Sequence, residues 1–160
     1  MEDAHLLEQL LQQEDQMHFT QFTNDTAFAV GMMLVEAARR EGLALTIDIC
    51  RHGHQLFHIA LPGTAPDNDV WIQRKNRVVN HFGHSSYYVG MLTKSKGVTL
   101  QERSLLDPMQ YAAHGGAFPI IIEQVGVVGT ITVSGLPQAE DHAFVVKVLA
   151  LFLGVNPATE

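Results

Sequence analysis

The segment LTIDICRHGHQLFHIAL, at Leu45–Leu61, decides the fold. Two apolar runs, 45–51 and 56–61, flank the polar turn His52–Gln55, which contains a glycine. This pattern predicts two antiparallel strands joined by a short hairpin.

A second pair of apolar runs, at 117–123 and 125–134, follows later in the chain and predicts a second hairpin. Helical spacing and capping residues predict helices before, between and after these hairpins. Predicted helices cover 3–17, 85–94 and 138–153, and a short helical piece is predicted near 108–112. Two further helices are predicted from their ends. One is capped by Asn24-Asp25-Thr26 and ends at Gly42, and the other is capped by Asp67 or Asn68 and ends at Gly83. Hairpins separated by helices predict an α/β (α+β) fold in which helices cover an antiparallel sheet, not a doubly wound parallel sheet.

The length of the chain and its charge limit the classes of protein to which it can belong. Its 160 residues suit one domain, with a core at about 25–153 and an N-terminal helix at about 3–17. A net charge of −7 with ten Lys and Arg argues against a nucleic-acid partner. Neither a secretory signal nor an apolar run long enough for a bilayer is recognisable, and the single Cys50 suits a reducing cytosol.

The low content of charged residues, 17%, and the apolar balance predict that part of the surface is buried against other copies of the chain. We therefore expect a homo-oligomer.

Asp48 is a charge inside an apolar strand and needs a partner. A hairpin loop of two or four residues places Asp48 on the same sheet face as Phe57 and Ile59. A loop of three residues places it on the same face as His58 instead. Arg51, Arg74 and Lys75 are candidate partners by residue type alone.

The last predicted helix carries a second carboxylate, Asp141, in the middle of its apolar arc, with His142 at the flank. Asp141 either faces a ligand or serves the exposed N–H groups of the first helical turn.

Two loops have features of ligand sites. Residues 114–119, HGGAFP, combine a histidine with two glycines that let the backbone approach a ligand, although a plain tight turn also explains the glycines. The strand ending at Ser134-Gly135 leads into a helix whose first N–H groups can hold an anion. The alternative is that this segment only packs the strand against the helix. Residues 71–77, WIQRKNR, place three cations on one helix, as a solvated face or as a site for an anion.

Nine histidines raise the question of a metal site. His52, His54 and His58 are close in sequence, and His81 and His84 are three apart, but these spacings match no standard metal site. No metal is therefore predicted. No Gly-x-Ser-x-Gly motif is present, and Cys50 lies within a predicted strand, where a thiol usually fills apolar space, so no catalytic residue is assigned.

Together these segments resemble the haem-degrading-domain family, also described as GlcG/HbpS-like, and within it a branch of uncharacterised proteins. The resemblance spans about residues 25–153. Its segments are Asp48-Ile49, Gln55–His58, Leu61–Thr64, Pro66–Asn68, Trp71-Ile72, Arg74-Lys75, Phe82–Ser86, Tyr111–Gly116, Phe118–Ile120, Val133–Gln138 and Asp141-His142.

The resemblance implies a profilin-like α/β/α fold around a five-stranded antiparallel sheet. The fifth strand then lies near 95–106 or on the N-terminal side of Gly42. It also implies assembly into rings or larger shells, and the family name implies haem binding, although the chain lacks a Cys-x-x-Cys-His attachment motif.

Three functions follow as hypotheses. The first is a cytosolic homo-oligomer that binds a small, anionic molecule. The second is a haem-binding or haem-degrading protein, with His84, His114 or His142 as the axial ligand. The third is a scaffold whose interface is its function. The expected ligand-binding residues are Lys75, His114, Gly115, Gly116, Asp141 and His142.

Hairpin geometry connects these residues. If 117–123 pairs with 125–134, the start of the first strand lies beside the end of the second. Gly115 and Gly116 then lie next to Ser134 and Gly135, and we expect His114 and His142 to share one pocket.

Overall fold

The computed structural model describes residues 2–157. The helices are α1 (Glu2–Gln16), α2 (Asn24–Glu41), α3 (Pro66–Phe82), α4 (Ser86–Ser95), α5 (Leu100–Ser104) and α6 (Gln138–Leu153). The strands are β1 (His18–Phe19), β2 (Thr46–Arg51), β3 (His54–Ala60), β4 (Ala117–Ile122) and β5 (Gly126–Ser134). The predicted order of the long elements is confirmed.

The five strands form one sheet in the order β1-β4-β5-β2-β3. Both predicted hairpins are present, and β2 and β5 join them in antiparallel pairing. The sheet is mixed, because β1 pairs with β4 in parallel, so the prediction of a purely antiparallel sheet is corrected at this edge. The fifth strand precedes α2, whereas residues 95–106, the other expected location, contain α5.

Helices cover both faces of the sheet, as the α/β/α prediction requires. Helices α2 and α6 pack on one face, and α3 and α4 on the other. The face under α2 and α6 is apolar, and its buried strand residues include Ile47, Ile49, Phe118 and Ile131. Strand residues alternate between faces, so this face places the main hydrophobic core between the sheet and two helices.

The face under α3 is polar although it is buried. Its strand residues include Thr46, Asp48, Thr130, Thr132 and Ser134. Buried polar groups need hydrogen-bond partners, and α3 supplies several of them to this face. The candidate site described below lies at the end of this polar layer that contains Ser134.

Two asparagines of α3 make these contacts. The Thr132 hydroxyl donates to Asn76 Oδ1 at 2.5 Å, and Asn76 Nδ2 donates to Asp48 Oδ2 at 3.2 Å. Asn68 Nδ2 donates to Ser134 Oγ at 3.1 Å.

The N-cap of α2 lies one residue before the predicted cap residues Asn24-Asp25-Thr26. Thr23 is the N-cap, and its side chain and that of Thr26 bond each other's backbone N–H in a capping box. The helix ends at Gly42 in the left-handed conformation, as predicted.

The start of α3 and the position of α5 also differ from prediction. Ala65 is the N-cap of α3, and Asn68 contributes by accepting the Ala65 N–H at 2.9 Å. The helical piece expected near 108–112 is a turn, and the short helix lies instead at α5, where Thr99 and Glu102 form a capping box.

The first hairpin contains a bulge that decides which residues of β3 share a sheet face with Asp48. Its loop is His52-Gly53, and both residues have positive φ, as a tight hairpin turn requires. Ile49 pairs with Phe57 and Cys50 with Gln55, so Leu56 is an extra residue in β3. The bulge places Asp48 opposite His58, and the expected pairing with Phe57 and Ile59 is wrong.

Helix α1 is held to the rest of the structure by buried polar contacts. Glu14 accepts the Ser85 N–H at 3.2 Å and lies 2.8 Å from His84 Nδ1. Gln13 Oε1 lies 2.7 Å from His142 Nε2. Among residues 2–157 no helix is both long and apolar enough to cross a membrane.

Candidate functional site

A cavity of about 280 Å³ opens where α3 and α6 begin. Its wall consists of the first turns of these helices and the two loops that flank the second hairpin. The lining residues are Asp67, Asn68, Trp71, Lys75, His114, Gly115, Ser134, Gly135, Leu136, Gln138 and Asp141. The structure therefore brings four of the six predicted site residues to one cavity, and a fifth, Gly116, contacts it from behind.

Lys75 lies at the base of this cavity, 2% exposed. Its ammonium donates to the backbone carbonyls of Val133 at 2.6 Å and Gly115 at 3.1 Å. It also lies 3.4 Å from Asp141 Oδ2. Burial lowers the pKa of Lys75, and the charge of Asp141 opposes that shift. Three acceptors for three N–H donors favour the charged ammonium.

Asp141 is buried beside Lys75 in the first turn of α6. Its Oδ1 accepts the Leu136 N–H at 2.9 Å. Burial raises the pKa of Asp141, while Lys75 and the backbone donors lower it. Asp141 serves a backbone N–H group just before the helix and also lines the cavity, and its role towards a ligand stays a prediction.

Gly115 and Gly116 leave no room for side chains. A Cβ on Gly115 would overlap the backbone carbonyl of Gln138. Gly116 has φ +134°, and a Cβ there would overlap the Lys75 ammonium and the Val133 carbonyl. The glycines thus let the loop lie against Lys75 and α6, and approach of this backbone to a ligand stays a prediction.

His114 forms an aromatic wall with Trp71, with 5.2 Å between ring centroids. Burial lowers the pKa of His114, and the charges of Arg74 and Lys75 lower it further. The imidazole is therefore neutral at pH 7 and offers one donor and one acceptor.

Several hydrogen-bond donors face the cavity. Ser134 Oγ accepts from Asn68 and keeps its own hydrogen for another acceptor. Gln138 Oε1 accepts the Gly115 N–H at 3.1 Å, which leaves its Nε2 group to donate. The N-termini of α3 and α6 add the positive ends of two helix dipoles.

His142 is not part of this site. Its ring contacts Tyr87, with 5.0 Å between centroids, and lines a different cavity between α1 and α6. Consecutive helical residues point about 100° apart, and here Asp141 lines the cavity at the start of α3 and α6 whereas His142 lines the one beside α1. The prediction that His114 and His142 share one pocket is wrong.

The burial of His142 predicts a specific loss of stability in acid. Burial lowers its pKa from 6.5 to about 4. The unfolded chain therefore binds a proton that the folded chain does not, and stability present above pH 6.5 falls by roughly 3 kcal/mol as the pH drops to about 4. Urea unfolding of wild type and His142→Gln at pH 7.5 and pH 4 measures this loss, because only the wild type contains the buried imidazole that causes it. Equal losses in the two proteins would contradict it.

A second polar cluster surrounds Asp48 and was not predicted. Gln55 Nε2 donates to Asp48 Oδ1 at 2.8 Å, and His58 Nδ1 lies 2.9 Å from the same oxygen. His58 Nε2 lies 3.1 Å from Asp69 Oδ1, so this ring bridges two carboxylates.

The cationic partners considered for Asp48 are elsewhere. Arg51 donates to the Phe22 carbonyl, Arg74 to the Pro108 carbonyl, and Lys75 contacts Asp141. The clue in the sequence was Asn76, which lies at helical spacing between the apolar residues Ile72 and Val79 and therefore on the buried side of α3.

Cys50 is not an activated thiol, and the described histidines form no metal cluster. Burial and the neighbouring Asp48 carboxylate raise the pKa of Cys50 to about 12, so it stays a thiol. Within residues 2–157 no group of three His, Cys, Asp or Glu side chains is placed to hold a metal ion.

Comparison with known proteins gives consistent matches over most of the chain. The family model described as "Haem degrading protein HbpS-like" matches residues 22–150. A UPF0303 protein of Streptomyces coelicolor is 55% identical over 151 residues, covering 94% of this chain and 96% of the relative.

Solved structures share the fold. The crystal structure of the Ybr137w protein has a TM-score of 0.84 at 37% identity, covering 92% of this chain and 87% of that one. The PduOC:haem complex has a TM-score of 0.65 at 14% identity, covering 83% of this chain and 95% of that one, and shows likeness of fold alone. The chain belongs to the HbpS-like haem-degrading protein family, among relatives named UPF0303 proteins.

Proposed function

We propose that this protein is a cytosolic, homo-oligomeric binding protein for a small molecule with an anionic group. The ligand occupies the cavity where α3 and α6 begin. The observation that carries this proposal is the convergence of two helix N-termini and the buried Lys75 ammonium on one cavity of about 280 Å³. Helix N-termini favour anions through their free N–H groups and dipoles.

Each neighbouring group has a role in this proposal. The Ser134 hydroxyl and the Gln138 amide donate hydrogen bonds to the anionic group. The neutral His114 ring and Trp71 pack against the ligand body. Lys75 acts through its charge, which also compensates Asp141, and through its hold on the Gly115 carbonyl.

Native mass spectrometry tests this proposal on the protein as purified from cells. We expect an added small-molecule mass that is lost on denaturation and is displaced by excess inorganic phosphate. Ser134→Ala should weaken retention about tenfold, since a hydrogen bond to a charged group contributes about 1.5–3 kcal/mol. Ser95→Ala, on the exposed end of α4, is the matched control. Retention unaffected by Ser134→Ala would argue against this site.

Haem is the second candidate, and His114 is the residue that favours it. Of the three proposed axial ligands, two are less suited to haem. His84 contacts Glu14 through Nδ1. His142 contacts Gln13 through Nε2, and its Nδ1 is buried. His114 is neutral and also lines a second cavity of about 600 Å³. That cavity has Arg74 and Lys94 for carboxylates and Val98, Leu100 and Leu106 as apolar wall.

A haemin titration separates the two candidates. Haem binding would produce a Soret band that His114→Ala abolishes and His84→Ala retains. Absence of a saturable Soret band would remove haem and leave the small-anion proposal standing.

The homo-oligomer in this proposal has its own test. Large side chains remain exposed, among them Phe28, Leu105, Met109 and Leu151. Burial of such residues between copies is favourable at about 25 cal/mol per Å² of apolar surface. Light scattering at micromolar concentration should give a multiple of 17.7 kDa. A mass equal to that of one chain would contradict it.

A further inference from the structure

The cavity where α3 and α6 begin, the first cavity, adjoins the second cavity of about 600 Å³, because His114 lines both. Ala112 and Ala113, just before this histidine, line the second cavity, and Gly115, just after it, lines the first. The loop therefore crosses from one cavity to the other at His114, which is an exposed residue. An elongated ligand bound in the first cavity would pass this ring to enter the second.

Arg74 brings a cation to the second cavity, beside the aromatic wall of the first. Its guanidinium carbon lies 4.5 Å from the centroid of the Trp71 ring, which in turn lies 5.2 Å from the His114 ring. After burial, the charges of Arg74 and Lys75 are the causes that lower the pKa of His114, so both cations lie within electrostatic reach of this ring. His114 thus has one cation at each of the two cavities that it lines.

The charge of Arg74 is not neutralised within the described chain. The side chain is half-buried, yet no carboxylate of residues 2–157 forms an ion pair with it. Nη2 donates to the Pro108 carbonyl at 2.6 Å, which is a neutral acceptor. Nε is buried, but Nη1 is accessible and has no acceptor within residues 2–157, so its two N–H groups remain for a ligand. A guanidinium group is suited to a carboxylate or a phosphate.

The remaining wall of the second cavity suits an acid with an apolar spacer. Leu100 and Leu106 contribute hydrocarbon, and Lys94 adds a second cation. The carboxylate of Glu102 also lies at this wall, but its Oε1 accepts the Thr99 N–H at 3.2 Å in the capping box of α5. The second cavity therefore has more cations than carboxylates.

We propose that the ligand of the first cavity has two acidic groups joined by a short apolar spacer. One acidic group lies in the first cavity, the spacer passes His114, and the second acidic group pairs with Arg74 in the second cavity. This inference rests on the proposed function, because it specifies the ligand of the same site. Linear dicarboxylates are the simplest molecules of this class.

Calorimetric titration of the full chain tests the second acidic group. The probes are glutarate, adipate, pimelate and suberate, each compared with the linear monocarboxylate of the same number of carbons. At least one diacid should bind about tenfold more tightly than its monoacid, the gain expected from one hydrogen bond between charged groups. In amide NMR, both should shift Gly115 and Gly135, and only the diacid should also shift Ala112 and Ala113.

Variants assign the preference to Arg74. Arg74→Met should bring the affinity for the diacid close to that for the monoacid, and Arg74→Lys, which keeps a positive charge, should keep part of the preference. Arg77→Met is the matched control, because Arg77 donates to the Gln110 carbonyl of the same loop but lines neither cavity. The control should keep the full preference. If Arg74→Met does not fold, the wild-type comparison of diacid and monoacid and the Arg74→Lys variant still decide.

The outcomes separate this inference from the proposed function. Equal affinity within every pair, with saturable shifts at Gly115 and Gly135, would leave the anion site standing and overturn the second acidic group. Absence of these shifts with every probe would overturn both. An equal loss of preference in Arg74→Met and Arg77→Met would show that Arg74 acts only by holding the loop, and would overturn its role in recognition.

Discussion

Replacing Asp48 with alanine should lower the free energy of unfolding by about 1–3 kcal/mol, as expected when a buried hydrogen-bonding group loses its partner. The carboxylate is 2% exposed and accepts from Gln55, Asn76 and His58. Alanine leaves the Asn76 amide without its acceptor, whereas Gln55 and His58 are exposed and can turn to water. Because Asn76 also holds Thr132, the effect extends to the packing of α3 on the sheet.

Urea unfolding measures this effect, and Asp69→Ala is its matched control. Asp69 contacts the other nitrogen of His58, but its side chain is 46% exposed, so its removal should cost less than about 1 kcal/mol. Unfolding midpoints of Asp48→Ala equal to those of wild type would show that the cluster does not stabilise the fold.

Lys75→Met should lower the free energy of unfolding by more, about 3–5 kcal/mol, because it leaves the Asp141 carboxylate buried without its cation. The carbonyls of Gly115 and Val133 also lose a donor. The loop at Gly115–Gly116 should loosen as a result, since Lys75 connects it to β5 and α6.

A second substitution separates charge from packing. Asp141→Asn keeps an oxygen for the Leu136 N–H but removes the negative charge. In the Lys75→Met background it should therefore restore part of the lost stability, measured as a double-mutant cycle. A double variant less stable than Lys75→Met alone would contradict the proposed cost of an unpaired Asp141.

The sequence predicted the elements whose hydrophobic pattern is long and unambiguous. Helix α6 has the expected bounds, and both predicted hairpins form, because apolar periodicity reflects burial directly. Strand β1 is only two residues long, too short for any periodicity. The bulge at Leu56 has no local sequence signal, yet it places His58, and not Phe57 and Ile59, on the same sheet face as Asp48.

The site was predictable where register determined it. The pairing of β4 with β5 places Gly115–Gly116 beside Ser134, as expected, and Lys75 and Asp141 meet there. His142 was misplaced because neighbouring helical residues point in different directions. The Asp48 cluster was missed because a cation was sought, whereas the carboxylate accepts from the neutral amides of Gln55 and Asn76 and also from His58 and Cys50.

Amide NMR tests the anion site most directly. The ¹⁵N-labelled protein is titrated with acetate, benzoate and inorganic phosphate, and with neutral benzamide as the matched control for benzoate. At least one anion should cause saturable shifts confined to the amides at Gly115, Gly135 and Gln138, and benzamide should not. The absence of saturable shifts with all three anions, or equal shifts with benzamide, would contradict an anion site where α3 and α6 begin.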